Sequence, residues 1–123
     1  MLSRRTWFAA LLLAAALPLE ANQAITMTVS PRQSVAPTNL SVRLRIQPDA
    51  DNRVLQVVAD SGGFYRSSEI SLDGERSARS AVVEFRNVPS GEYEVYGVLL
   101  DAAGRERGRV HETAFVVGVG TDN

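Results

Sequence analysis

From residue 25 onward the chain is written in short runs in which apolar and polar residues take turns. Leu40, Val42, Leu44 and Ile46 alternate with Ser41, Arg43, Arg45 and Gln47, a period of two that places every apolar side chain on one face of a strand. The stretches Ile25 to Val29 and Ala81 to Arg86 alternate in the same way, and Val54 to Ala59 is the dense apolar run of a central strand. Tyr93, Val95, Gly97 and Leu99 share one face of a further strand, with Glu94, Tyr96, Val98 and Leu100 on the other. A last strand runs from about Arg107 to Val117, and a weaker pattern from Phe64 to Leu72 suits a short additional one. Clusters of Gly, Pro, Asp and Asn separate these runs, as at Asp49-Ala50-Asp51-Asn52, Asp60-Ser61-Gly62-Gly63 and Asp101-Ala102-Ala103-Gly104. Pro31 and Pro37 bracket a stretch read as a crossover beside an edge strand. No run of this region has helical periodicity. The rhythm predicts an all-β fold, an antiparallel sandwich of about seven strands.

The first residues follow a different pattern. Met1-Leu2-Ser3-Arg4-Arg5 precedes an unbroken apolar run from Trp7 to Leu17, then Pro18 and a small residue at Ala21, the three-part layout of a cleavable signal peptide. The run is far shorter than the roughly 20 residues of a spanning helix, so no stable membrane anchor is expected after cleavage. Cleavage after Ala21 is favoured over cleavage after Ala16. Ser3 to Phe8 also resembles a twin-arginine signal, although Ala9 stands where that pattern often has lysine, and the apolar core favours the general secretory route. The expected organisation is a signal-peptide helix over residues 1–21, one domain over 22–118 and a tail over 119–123. The expected location is the periplasm or the exterior.

Composition narrows the field further. The 123 residues carry a net charge of −1, and removal of Arg4, Arg5 and Glu20 with the signal peptide takes it to −2. A nucleic-acid partner would demand a basic excess, so none is expected. There is no cysteine, hence neither a disulfide framework nor a lipoprotein acylation site.

Val88-Pro89-Ser90-Gly91-Glu92-Tyr93-Glu94-Val95 resembles the corner between strands E and F of fibronectin type III and bacterial immunoglobulin-like domains, which commonly reads apolar-Pro-x-Gly-x-Tyr-x-Val. The resemblance implies a tyrosine corner: the Tyr93 hydroxyl bonds back to the backbone of the corner and its ring enters the core, with Pro89 and Gly91 as structural residues. Asp101-Ala102-Ala103-Gly104 is similar to the following hairpin of such domains. Transthyretin-type sandwiches have a comparable corner, and the likeness implies a fold without implying an activity.

Candidate chemistry is sparse. His111 is the one histidine, so a zinc or copper site would lack its nitrogen and sulfur ligands, and no metal or cofactor is expected. Asp49, Asp51 and Asn52 offer oxygen ligands for calcium, but a turn whose side chains cap backbone groups explains them better. Ser67 and Ser68 have no base near them in sequence, and nothing around them resembles a nucleophile elbow. Arg105, Arg107 and Arg109 alternate and would share one face of an extended segment, either to bind a sulfated or phosphorylated polymer or, as Glu106 and Glu112 favour, as a solvated edge. Phe64, Tyr65 and Arg66 follow a double glycine and have the makeup of a recognition surface. Being adjacent, the two aromatics must point to opposite faces, so one is expected in the core. Tyr96, with Val98 and Leu100, forms a second stripe, either covered by its neighbours or open to a partner.

These readings lead to an expectation: an exported, non-enzymatic immunoglobulin-like binding or structural module, its partner a protein or a surface polymer gripped through Phe64, Tyr65, Arg66 or Tyr96. The alternative is a small extracytoplasmic enzyme or a carbohydrate-processing accessory protein. A recess holding His111 with a carboxylate and a hydroxyl would favour the alternative.

Overall fold

A computed structural model describes residues 24–118. The expected signal-peptide helix and tail lie outside the described residues. Eight strands follow one another: β1 (Ile25–Ser30), β2 (Gln33–Val35), β3 (Thr38–Ile46), β4 (Val54–Asp60), β5 (Tyr65–Ser71), β6 (Ser80–Val88), β7 (Gly91–Leu100) and β8 (Glu106–Val117). One 3-10 turn, Gly74–Arg76, precedes β6. Among the described residues no helix is long and apolar enough to cross a membrane.

The strands form two sheets, β1-β3-β6 and β2-β8-β7-β4-β5. All neighbours are antiparallel except β2, which runs parallel to β8 with Gln33, Ser34 and Val35 opposite Phe115, Val116 and Val117. This three-residue strand raises the number to eight. It occupies the stretch between Pro31 and Pro37 read as a crossover, because three residues are too few to show an alternation.

The two-residue period decides which side chains meet. Ile25, Val29, Leu40, Val42 and Leu44 of the three-stranded sheet are buried against Leu55, Val57, Val95 and Leu99 of the other. Each such side chain contributes about 1.5–3 kcal/mol on leaving water. Gly97 belongs to the same inward row, and a Cβ there would stand 2.8 Å from Leu44 Cδ2, so the missing side chain is what lets the sheets close at this point.

Tyr93 is fully buried, and its hydroxyl donates to the Pro89 carbonyl at 2.8 Å. A Cβ on Gly91 would come within 3.0 Å of Ser61 Cβ and 3.3 Å of the Tyr93 ring. The corner therefore needs the smallest residue at that position.

Candidate functional site

The outward face of the five-stranded sheet gathers the polar chemistry of the chain. Cross-strand register sets His111 opposite Tyr96 and Thr113 opposite Glu94, all on the side away from the core. The diagonal brings His111 Nε2 within 2.8 Å of Glu94 Oε1, with both side chains more than half exposed. At the β2 flank of this face lies an open recess of about 610 Å³ lined by Arg32, Gln33, His111, Glu112, Thr113 and Phe115. The Phe115 backbone N–H donates to the Arg32 carbonyl at 2.7 Å. Arg32 also reaches Glu112 Oε1 at 2.8 Å, so backbone pairing and an ion pair hold opposite walls together. Phe115 is 42% exposed and offers an apolar surface among an amide, a guanidinium, a carboxylate and a hydroxyl.

Of these residues only His111 stands out in the sequence. Arg32 and Gln33 join Phe115 through the parallel β2–β8 pairing, across about eighty residues of chain, and a run of three residues carries no periodic signal for it.

The other residues singled out from the sequence lie away from this recess. Tyr93, Pro89 and Gly91 build the corner. Phe64 is half-buried, packs on the core and meets the Tyr93 ring edge-on at 6.2 Å, while the Arg66 guanidinium covers it at 5.1 Å. Tyr65 points the other way and is 59% exposed, as two adjacent strand residues must. Tyr96 is half-buried on the outward face, with Arg109 5.5 Å above its ring. Val98 beside it is only 4% exposed, so the stripe on β7 is covered by its neighbours. The structure does not bring Phe64 or Tyr65 to the recess.

The three alternating arginines do not share a face. The β7–β8 register slips between Leu99 and Leu100, where Gly108 and then Glu106 are the partners, and Arg107 is the extra residue of a bulge. Its guanidinium turns to Asn52 Oδ1 at 3.1 Å and to Asp49 Oδ2 at 2.8 Å. Arg105 bonds Asp101 at 3.3 Å. Arg109 makes two bonds to the Glu106 carboxylate at 3.0 and 3.1 Å. The hydrogen bond from Arg109, with its charge, holds the Glu106 carboxyl below its ordinary pKa, and the same bond raises that of Arg109. In the Asp49–Asn52 turn, Asp49 Oδ1 accepts from the Asp51 N–H at 2.9 Å, the backbone cap expected of such a turn.

No known family's sequence profile matches the chain, and no curated protein matches it in sequence. Its fold is similar to that of the superoxide reductase (neelaredoxin) from Ignicoccus hospitalis, with a TM-score of 0.59 at 9% identity over 76% of this chain and 80% of that one. A substituted variant of that same protein gives 0.51 at 10% identity, over 77% and 81%. A family 76 glycoside hydrolase from a bovine Bacteroides thetaiotaomicron strain gives 0.53 at 13% identity, over 75% of this chain and 20% of that one. This chain thus spans about a fifth of the hydrolase. At such identities the likeness concerns the fold.

These comparisons overturn the expectation of a non-enzymatic immunoglobulin-like binding or structural module. That expectation rested on the export signal, the corner motif and the lack of a catalytic constellation, whereas the similar solved structures named above are those of enzymes; a fold of this kind hosts unrelated activities. Reducing superoxide calls for a redox-active centre, and the residues here do not fit one. The sequence has one histidine and no cysteine. Among the described residues no three His, Asp or Glu side chains converge as a metal site. No electron-transfer step is assigned to this chain.

Proposed function

We propose that this protein acts on carbohydrate, holding a saccharide in the recess lined by β2 and β8. The observation that carries the reading is Phe115, an exposed aromatic ring among Arg32, Gln33, Glu112 and Thr113. A sugar presents an apolar C–H face and a rim of hydroxyls. An aromatic surface takes the first, and amide, carboxylate and guanidinium groups, which donate and accept in fixed directions, take the second. His111, oriented by Glu94, adds a further partner at the edge of the recess. The fold shared with one part of a glycoside hydrolase supports the same assignment.

In this reading the sandwich is of the immunoglobulin or fibronectin type III kind, supported by the Tyr93 bond to Pro89. The pattern over residues 1–21 supports action outside the cytoplasm after export by the general secretory route.

Titration calorimetry with maltohexaose, cellohexaose and mannohexaose tests the proposal. At least one oligosaccharide is expected to give a saturable isotherm that Phe115→Ala abolishes and Val82→Ala, on the other sheet, leaves intact. An absence of saturable heat with all three, or an isotherm indifferent to Phe115→Ala, would overturn it.

A further inference from the structure

The arginines on the five-stranded sheet are all engaged, by carboxylates, by Asn52 or by an aromatic ring. On the opposite side of the molecule three are not. Arg43 and Arg45 of β3 point away from the core and are exposed, and Arg79 follows them at the entry to β6. Among the described residues none of the three makes an ion pair. The one acidic side chain on the outward rows of β1, β3 and β6 is Glu84, and Arg86 occupies it at 3.3 Å. Alternation requires only that these positions be polar. Cations within a Debye length of about 8–10 Å repel one another in the free protein, so an anionic partner would relieve a repulsion that the one carboxylate of this face, engaged by Arg86, offsets only in part.

Two recesses mark the places. One of about 300 Å³ is lined by Arg45 and Arg79 with Thr26 and Gln47. The next, of about 230 Å³, is lined by Arg43 with Thr28, Ser30 and Ser41. Arg43 and Arg45 are two residues apart on one strand face, which separates the recesses by about 6–7 Å along β3. Each thus combines a planar guanidinium, able to make two parallel bonds to a sulfate, phosphate or carboxylate, with hydroxyl or amide side chains that suit sugar hydroxyls.

We infer that the outward face of the three-stranded sheet docks an acidic polysaccharide, a sugar chain carrying sulfate or phosphate esters. A single-stranded nucleic acid fits less well, because the outward rows of β1, β3 and β6 hold no aromatic side chain on which bases could stack. A membrane surface fits less well too, since Val82 is the one large apolar side chain exposed on these strands. The inference concerns a different sheet from the recess at Phe115 and stands whether or not that recess takes a saccharide.

The test uses the full chain and low-molecular-weight heparin as the probe, with affinity measured by thermophoresis at low salt. Saturable binding is expected, with the joint substitution Arg43→Gln and Arg45→Gln weakening it roughly tenfold or more, as the loss of charge-assisted bonds requires. A charge-matched pair, Arg105→Gln with Arg109→Gln, is expected to change it less than about twofold, because those side chains are already engaged. Circular dichroism of both variants checks that the fold is kept. No binding, an equal loss in the two variants, or undiminished binding of fully desulfated heparin would overturn the inference. Equal or tighter binding of a single-stranded DNA oligomer or of phosphatidylglycerol vesicles would also overturn it, and would name the rival partner.

Discussion

Tyr93 shows how much one side chain does in this fold. Its ring is fully buried between the sheets and meets Phe64 edge-on, while its hydroxyl donates to the Pro89 carbonyl at 2.8 Å. The end of β6 is thereby fastened to the start of β7. Tyr93→Phe keeps the packing and deletes the bond, so a loss of about 0.5–1.5 kcal/mol is expected. It should be read as a lower urea midpoint at unchanged slope, since the same surface is exposed on unfolding. This residue is legible in the sequence, because Pro, Gly and Tyr in a fixed spacing carry a local conformation with them. Asn52 is not legible. It is 1% exposed, donates to the Gln47 carbonyl at 3.0 Å and accepts from Arg107, a place that only the distant β8 confers on a residue otherwise typical of a turn.

The β7–β8 hairpin carries its own electrostatics. The Asp101 carboxylate accepts from the Arg105 backbone N–H at 2.8 Å and from that of Ala103 at 2.9 Å. The Arg105 N–H is the largest influence, and the carboxyl is held below the ordinary aspartate value. Because the folded-state pKa is the lower one, the carboxylate stabilises the fold at neutral pH, and this contribution fades as acid protonates it. Asp101→Ala is therefore expected to lower the urea midpoint at about pH 7 and to differ less from the unsubstituted protein as pH falls below the usual carboxylate range of about 4. A gap that stays constant with pH would contradict this. The strands themselves were foreseeable to within a residue or two at most ends, since alternation over five or more residues is hard to mistake. The short β2 was not, and neither was the bulge at Arg107, which breaks the face that its alternation with Arg105 and Arg109 suggests.

Across the whole molecule, Arg107 links parts that no single element joins. The turn at 47–53 carries the chain from one sheet to the other, and the Arg107 side chain reaches into it from β8, to Asn52 and Asp49. The bond to Asn52 counts for most, because Asn52 is buried, whereas Asp51 is 72% exposed at 3.6 Å from Arg107 and adds little in water. Arg107→Ala leaves the Asn52 oxygen without this donor, and a loss of about 1–3 kcal/mol is expected in chemical denaturation. Arg109→Ala, which removes a pair exposed on both sides, should cost less than about 1 kcal/mol. At this scale the molecule is also two-faced. The arginines of the five-stranded sheet are engaged, whereas Arg43, Arg45 and Arg79 make no ion pair on the side of the three-stranded one.

What the sequence alone determined is whatever depends on neighbours along the chain: the all-β class, most strand positions, the inward row of β7 and the corner at Tyr93. These follow from the two-residue period of a strand and from local turn chemistry. What only the tertiary structure decided is which rows come together. Phe115 meets Arg32 and Gln33 because β2 runs parallel to β8, Arg107 leaves its row because the register slips, and Arg43 and Arg45 stand free because the one carboxylate on the neighbouring outward rows, Glu84, is taken by Arg86. Alternation places a side chain on a face, but pairing between distant strands chooses its company.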